Sequence, residues 1–358
     1  MHIQIINLHN PLWKQVLQKL HHDVYHLPEY IEIESKRTST LPNAFIIIDD
    51  EKIFFVPYLL RQCDDILDRE ISRKEVFDIV SPYGYPGILL SKAAINTPGF
   101  PDFAIRELRR VLFEHKVCSA FFRLHPILNF NFNEVFQPNT FTTIGETVSV
   151  DLTLSESKIW AHTRKGHQST INKCKRLGFT GKMVNFKQYI HNFISIYNET
   201  MERVGAQKSY YFSHEYFEDL LKLGQHLHLG IVELDNEIAC ASLFLESSGI
   251  VQAHLGGTKN QFLRYSPFNL LVDYARNWAK ARGNKFLHLG GGVGCSTTDS
   301  LYTFKSGFSR TRHPFLTLRL IIDEEKYHYL VNSRAKLLNV RVEELLSSRF
   351  FPAYRCFR

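Results

Sequence analysis

The second half of the chain alternates between segments with helical periodicity and segments with the pattern of short strands. Apolar residues recur every three or four positions in four segments, which predicts helices over residues 155–177, 189–202, 213–223 and 266–282. Short apolar runs bounded by turn residues predict strands over residues 228–234, 238–246, 249–256, 285–289 and 315–322. Short polar turns join the first three of these strands, which therefore form an antiparallel meander.

Helix boundaries in this half are marked by the residues that commonly cap helices. Ser155 stands where the first helix needs an N-cap, and Gly178 stands where that helix should stop. Ser266 followed by Pro267 predicts a second start, with serine as the N-cap and proline at the first helical position. A basic, leucine-containing helical tail is expected to end the chain.

The first half repeats this order of elements in a degenerate form. Residues 44–49 and 52–60 predict a hairpin, residues 102–116 a helix, and residues 119–124 a strand. Hairpin, helix and strand therefore follow one another in both halves. We predict an α/β protein with mixed sheets, built from two similar tandem domains over residues 1–145 and 146–358.

Composition narrows the class of protein. The 358 residues are 44% hydrophobic and 13% aromatic, as expected of a packed globular protein of more than one domain. The longest apolar runs fall well short of the about 20 residues that a membrane-spanning helix needs. No signal peptide is evident at the start, and the six cysteines show neither paired nor metal-like spacing. We expect a cytoplasmic protein with reduced thiols and without a metal site.

Positive charge is concentrated in one segment, although the net charge of +7 is modest. Between Lys158 and Lys187 the chain carries no acidic residue and several basic ones: Arg164, Lys165, Lys173, Lys175, Arg176 and Lys182. Such a segment suits a polyanion, namely RNA, a pyrophosphate or an anionic membrane surface. A solvated helix face has the same pattern, and both interpretations stay open.

The most informative stretch is residues 285–309, where a short apolar run leads into glycines 290, 291, 292 and 294. Glycines directly after a buried strand bring bare N–H groups close to a ligand. The stretch continues into Phe304-Lys305-Ser306-Gly307-Phe308, where aromatic neighbours surround a lysine with low-dielectric surface. A tight turn and a surface lysine packed along its stem are the simpler alternative.

Several motifs stand beside these elements: the basic helix from Trp160, Arg164 and Lys165, then Tyr197-Asn198 with Met201 and Gly205-Ala206, Tyr210-Tyr211, residues 254–258, residues 288–292, and Phe304-Lys305 with Gly307-Phe308. Together the elements and motifs resemble the GNAT-type acyltransferases, and their repetition resembles the FemABX family. Residues 81–87, SPYGYPG, look like a feature of the first domain of this family. The resemblance implies two tandem GNAT-like (acyl-CoA N-acyltransferase-like) domains.

The resemblance also implies a reaction. Members of the FemABX family transfer amino acids from aminoacyl-tRNA to peptidoglycan precursors. We therefore expect a transferase that forms an amide bond on an amine acceptor, such as a cell-wall precursor or a natural-product peptide. The partners implied are tRNA, an acceptor that carries an anionic group, and peripheral contact with a membrane-bound precursor. No tightly bound cofactor is expected.

Two departures from the family pattern bear on the donor. The usual GNAT phosphate-binding loop contains a glycine pair, whereas residues 258–266 of this chain contain no glycine. A loop without those bare N–H groups is a poor cradle for the pyrophosphate of CoA. The sequence also lacks a heptad stretch for a coiled-coil arm. An N-acyltransferase that uses acyl-CoA or acyl-carrier protein on a sugar or metabolite amine remains an alternative, and so does a non-catalytic RNA- or membrane-binding protein.

Candidate catalytic residues follow from this chemistry. Direct attack of the amine requires a group that stabilises the oxyanion or the leaving group, and Lys305 is assigned that role. His288 and Asp299 lie near the same strand end and are candidates for proton relay, with a core histidine and a helix N-cap as their respective alternatives. The expected substrate-binding residues are Arg164, Lys165, Tyr83, Tyr85, Tyr211, His254, Asn269 and Phe304. For the tyrosines, packing in the core is the alternative.

Overall fold

A computed structural model describes residues 1–63, 66, 76–293, 299–348 and 350–356. The chain divides into two compact units. Unit 1 comprises Met1–Ile144 together with Phe315–Arg358, and unit 2 comprises Gly145–Pro314.

The strands within the described residues are, in chain order, β1 (His2–Asn7), β2 (Leu41–Asp49), β3 (Lys52–Gln62), β4 (Phe77–Val80), β5 (Leu89–Leu90), β6 (Val117–Arg123), β7 (Thr142–Asp151), β8 (Thr180–Val184), β9 (Leu227–Leu234), β10 (Glu237–Ser247), β11 (Ile250–Thr258), β12 (Phe286–Gly290) and β13 (Arg312–Ile321).

The α-helices within the same residues are α1 (Leu12–Lys19), α2 (Pro28–Thr38), α3 (Lys92–Ile95), α4 (Phe100–Glu114), α5 (Phe132–Val135), α6 (Glu156–His162), α7 (Lys165–Arg176), α8 (Phe186–Arg203), α9 (His214–Leu220), α10 (Phe268–Ala281), α11 (Ser300–Ser306), α12 (Glu324–Leu338) and α13 (Val342–Leu346).

Unit 1 is a mixed sheet whose strands follow the order β1-β2-β3-β4-β6-β13. All neighbours are antiparallel except β4 and β6, which are parallel and lie on either side of α4 in the chain. A parallel pair needs a crossover connection, and the helix supplies it. The apolar face of α4 packs into a core with residues of β2, β3 and β6, including Phe45, Val56 and Phe122.

Unit 2 has the same pairing pattern in the order β8-β9-β10-β11-β12-β7, except that its first strand, β7, takes the position that the last strand, β13, takes in unit 1. Again a single neighbouring pair, β11 and β12, is parallel, and α10 is the crossover helix between them. Apolar residues of α10, among them Leu271 and Ala275, pack with Val251 and Leu287 from the two parallel strands. The prediction of an α/β fold with two similar units is therefore confirmed.

The helix predicted over residues 155–177 is two helices in the structure. Ser155 caps α6 by accepting a hydrogen bond from the Lys158 N–H, and Gly178 follows the end of α7 with φ +89°. Between the helices Thr163 is extended, and the Arg164 N–H donates to the Gly307 carbonyl at 2.7 Å. The sequence pattern missed this break because the carbonyl that satisfies Arg164 lies far along the chain.

The start of α10 also differs from its prediction. Ser266 adopts φ +52°, and its hydroxyl donates to the Leu263 carbonyl rather than capping the helix. The helix begins at Phe268, with Pro267 preceding its first residue. A short 3-10 helix over Asn260–Tyr265 fills the segment that precedes it.

The sequence predicted that the C-terminal segment belongs to the second domain, whereas in the structure it belongs to unit 1. β13 pairs with β6, with Thr317 opposite Arg123 and Ile321 opposite Ser119, and residues 315–358 fall in unit 1. Near the end of the chain, Tyr354 is fully buried in a cluster with apolar residues of α12. No helix among the described residues is both long and apolar enough to cross a membrane.

Candidate active site

The two parallel strands of unit 2, β11 and β12, are paired along only part of their length. β11 and β12 pair over three residue pairs only, from Ile250 opposite Phe286 to Gln252 opposite His288. Beyond this point β11 continues to Thr258 beside β10, and β12 continues to Gly290 beside β7. The described residues show no pairing between the two strands past His288. The ladder between β11 and β12 therefore ends there, and we call this interruption the gap between the two strands.

Lys305 lies at this strand end. Gly290 has φ +76°, which directs the chain out of β12, and α11 follows with Lys305 in its last turn. The half-buried Lys305 ammonium donates to the Gly291 carbonyl at 2.6 Å. Burial disfavours the charged form and lowers the pKa of Lys305 to about 8, although nearby Asp299 acts in the opposite direction. Gly294, the last glycine of the cluster, lies outside the described residues.

Asp299 is the N-cap of α11. One of its carboxylate oxygens accepts hydrogen bonds from the Tyr302 N–H at 2.9 Å and from the Val293 N–H at 3.1 Å. These bonds match the capping alternative. The Asp299 carboxylate also raises the pKa of Lys305 and so favours the charged form of the lysine. A role for Asp299 in proton transfer stays a prediction.

His288 is fully buried in the middle of the sheet. Its Nδ1 lies 2.6 Å from Oε1 of Gln252, its partner in the parallel register. The pair is the last one before the strands part, so it fixes the inner end of the gap. This position fits the core-histidine alternative, and a catalytic role for His288 also stays a prediction.

Two further predicted residues border the same region. His254 lies on β11 beyond the parting point, with Nε2 3.3 Å from the Tyr216 hydroxyl of α9. Asn269, in the first turn of α10, donates through Nδ2 to the Ser266 carbonyl. Its Oδ1 is buried and accepts no hydrogen bond from the described residues. A buried acceptor of this kind is costly unless a donor pairs with it, so it suits the N–H of a ligand.

The remaining predicted tyrosines are placed away from this strand end or in the other unit. Tyr211 follows a short 3-10 helix in unit 2 and is exposed. Tyr83 and Tyr85 are half-buried and lie in unit 1. The Arg37 guanidinium lies 5.9 Å from the ring centre of Tyr83, and Tyr85 makes an edge contact with Phe315. Tyr85 therefore takes part in aromatic packing within unit 1, and Tyr83 makes a cation–π contact there.

The basic segment is more extensively paired than its sequence indicates. Lys175 forms an ion pair with Asp273 at 2.8 Å and Lys182 one with Glu233 at 2.6 Å, each with an acid from another element. Arg164 and Lys165, at the start of α7, are exposed and form no ion pair with the described residues. Lys173 and Arg176, in the last turn of α7, are exposed as well and form no ion pair with the described residues, so the charge available to an anionic partner lies at both ends of this helix.

His167 is the site residue that sequence reasoning missed. It lies on α7, is buried, and its Nε2 is 2.9 Å from the Phe304 carbonyl of α11. Its ring packs against Phe304 and Phe308, with ring centres 5.3 and 4.5 Å away. A Cβ at Gly307 would come within 2.5 Å of this ring, which explains the glycine in the lysine motif. The sequence signal was a histidine inside an otherwise basic, polar helix.

Comparison with known proteins agrees with this geometry. Residues 161–305 match a family model described as an acetyltransferase (GNAT) domain. The matched residues include every predicted site residue of unit 2. The predicted enzyme class, an acyltransferase, is thereby confirmed. No curated protein sequence matches the chain.

Solved structures resemble the chain over most of its length. The match to a crystal structure of FemX covers 92% of this chain and 99% of the FemX chain, with 11% sequence identity and a TM-score of 0.70. The match to L-PGS from Bacillus licheniformis covers 94% of this chain and 98% of the L-PGS chain, with 12% sequence identity and a TM-score of 0.54. The C-terminal domain of a putative lysylphosphatidylglycerol synthetase from Agrobacterium fabrum covers 85% and 88%, with the same identity and TM-score. At these identities the likeness establishes a shared fold.

Proposed function

We propose that this protein forms an amide bond by moving an aminoacyl group from aminoacyl-tRNA to an amine acceptor. The observation that carries the proposal is the Lys305 ammonium, held at the point where β11 and β12 part. A cation preorganised beside a gap in the sheet suits a reaction that develops negative charge on a carbonyl oxygen.

The proposed reaction is direct transfer. The neutral amine attacks the ester carbonyl carbon, the new C–N bond forms, and the C–O bond to the tRNA ribose breaks. The proton lost by the amine ends on the ribose oxygen. Lys305 stabilises the oxyanion of the tetrahedral intermediate, and Asn269 Oδ1 accepts an N–H from a substrate. His288 and Asp299 remain candidates for moving the proton.

The segment before α10 supports an ester of tRNA as the donor rather than acyl-CoA. Asn260–Tyr265 forms a 3-10 helix without glycine, so its backbone does not offer the open cradle that a pyrophosphate needs. The exposed Arg164 and Lys165 suit the phosphates of an RNA. The acceptor is proposed to be a cell-wall precursor or natural-product peptide that carries an anionic group.

A donor comparison tests this proposal. The protein is incubated with a peptidoglycan precursor peptide and, separately, with fully charged total tRNA or with acetyl-CoA, and donor loss is followed by mass spectrometry. We expect loss of aminoacyl ester that depends on both the protein and the acceptor. Consumption of acetyl-CoA alone would establish the N-acyltransferase alternative, and binding of tRNA without loss of ester would establish the non-catalytic one.

The start of α7 should bind the anionic part of the donor. Changing Arg164 and Lys165 together to alanine should weaken binding of charged tRNA, most strongly at low salt. The reason is that each lost phosphate contact lowers the slope of the logarithm of affinity against the logarithm of salt concentration by roughly one. Filter binding across a salt series measures this. Lys19→Ala with Arg106→Ala removes two exposed charges from unit 1 and is the matched control. Equal affinity of the parent and the α7 variant at every salt concentration would assign these residues to a solvated face.

A further inference from the structure

Two hydrogen bonds and the packing of the His167 ring connect the start of α7 to the end of α11. The Arg164 N–H donates to the Gly307 carbonyl at 2.7 Å, and His167 Nε2 lies 2.9 Å from the Phe304 carbonyl. These carbonyls lie at the C-terminal end of the seven-residue helix α11, where the Phe304 carbonyl also accepts from the Gly307 N–H at 3.1 Å. Helix α7 therefore caps the C-terminal end of α11.

Lys305 lies between the two capped carbonyls. Phe304 precedes it, and Gly307 follows two residues later, so both bonds hold the backbone segment that carries the lysine. The far end of the Lys305 side chain is held separately by the Gly291 carbonyl at 2.6 Å. Both ends of the Lys305 side chain are thus fixed. Contacts with α7 hold its backbone, and the chain that follows β12 holds its ammonium.

We propose that His167 is a positioning residue, which fixes the direction of the Lys305 side chain toward the end of β12 by donating Nε2–H to the Phe304 carbonyl. The inference rests on the proposed function of Lys305. It assigns His167 no contact with the substrate. Its effect on the reaction passes through the lysine.

The protonation state of His167 agrees with this role. Burial lowers the pKa of His167, the Phe304 carbonyl opposes this effect, and the positive charge of Arg164 adds to it. At neutral pH the ring is therefore neutral and carries one proton. Nδ1 lies 3.3 Å from the Arg164 guanidinium, which is a donor only, so Nδ1 accepts and the proton resides on Nε2. Facing Lys305 itself are the Asp299 carboxylate and the Gly291 carbonyl.

Close packing leaves His167 little freedom. Its ring lies between Phe304 and Phe308, and the missing side chain of Gly307 makes room for it, since a Cβ there would lie 2.5 to 2.8 Å from three ring atoms. A phenylalanine at position 167 keeps the ring and loses the donor, whereas a glutamine keeps a donor and loses the ring. The two variants therefore separate the hydrogen bond from the packing.

The test follows the Lys305 side chain directly in the protein without substrates. Lysine side chains are labelled with ¹³C, the Lys305 signal is assigned by its loss in Lys305→Arg, and its titration is compared in the parent, His167→Phe and His167→Gln. We expect His167→Phe to move the titration midpoint upward, toward that of an exposed lysine, because a released side chain becomes more hydrated. We expect His167→Gln to stay closer to the parent. The same midpoint in the parent and in His167→Phe would overturn the inference.

Turnover supplies a second readout. We expect His167→Phe to lower kcat by about 10- to 100-fold with little change in KM, since displacement of a catalytic group by about 1 Å can cost that much. In the Lys305→Ala background the same change should cost nothing further, because its effect passes through the lysine. A further loss in that background would assign His167 a different role. Full activity of Lys305→Ala would refute the proposed function, whereas the titration would still report whether His167 positions the lysine.

Discussion

Replacement of Lys305 by alanine should lower turnover by about 10²- to 10³-fold, which is the scale of losing one preorganised oxyanion donor. The ammonium is half-buried beside the gap between β11 and β12 and donates to the Gly291 carbonyl. Its removal takes away positive charge at the place where the proposed reaction develops negative charge on the carbonyl oxygen. Thermal melting should change little, because burial disfavours the charged lysine and its loss relieves that cost.

Lys305→Arg is the matched control for this variant. It keeps the charge but distributes it over a planar fork, so we expect only part of the turnover to return. Turnover and thermal melting are measured side by side for both variants. Unchanged turnover in Lys305→Ala would remove the catalytic assignment, and a large fall in its melting temperature would make Lys305 a structural residue.

The pH dependence of turnover should reveal which form of Lys305 is active. Its pKa is lowered to about 8, so the charged form predominates below that pH and disappears above it. If the ammonium stabilises the oxyanion, kcat falls as the pH rises through about 8. Lys305→Arg stays charged throughout, so this decline should vanish in the variant. A parent kcat that instead rises through pH 8 and stays high would identify Lys305 as a base.

Replacement of Asp78 by alanine should destabilise unit 1 by about 3–5 kcal/mol, the usual effect of removing one member of a buried ion pair. The fully buried Asp78 carboxylate accepts from Arg61 at 2.7 Å, from Arg355 at 2.9 Å and from the Tyr354 hydroxyl at 3.0 Å. Without it, two guanidinium groups lose their buried partner. The C-terminal segment also loses its connection to β4.

Urea unfolding and limited proteolysis measure this effect. We expect a lower unfolding midpoint and faster cleavage within residues 315–358 for Asp78→Ala. Glu51→Ala removes an exposed carboxylate from the same unit and should change stability by less than about 0.5 kcal/mol. Equal unfolding midpoints for Asp78→Ala and the parent would show that this network does not hold the C-terminal segment.

The sequence predicted those elements whose signal is local. The strands predicted over residues 238–246 and 119–124 correspond to β10 and β6, and the helix over 102–116 corresponds to α4. Alternating apolar residues and turn signals are sufficient for such elements, because neighbouring residues determine them. The strand β1 and the helices α1 and α2, near the N-terminus, were not predicted.

Contacts between distant parts of the chain account for the features that were missed. The break at Thr163 depends on the Gly307 carbonyl, and the placement of residues 315–358 depends on pairing of β13 with β6 and on the partners of Asp78. Such contacts leave no periodic pattern. In the candidate site, Lys305 was found because its flanking aromatics and glycine are local, whereas His167 acts through a carbonyl 137 residues away in the sequence.

We propose that unit 2 forms an amide bond with the help of the Lys305 ammonium. The most direct measurement is mass spectrometry of the acceptor after incubation with charged tRNA and either the parent protein or Lys305→Ala. We expect the acceptor to gain the mass of one aminoacyl residue through a base-resistant amide bond, about 10²- to 10³-fold more slowly with the variant. An acceptor of unchanged mass, or one that gains mass equally fast with Lys305→Ala, would contradict it.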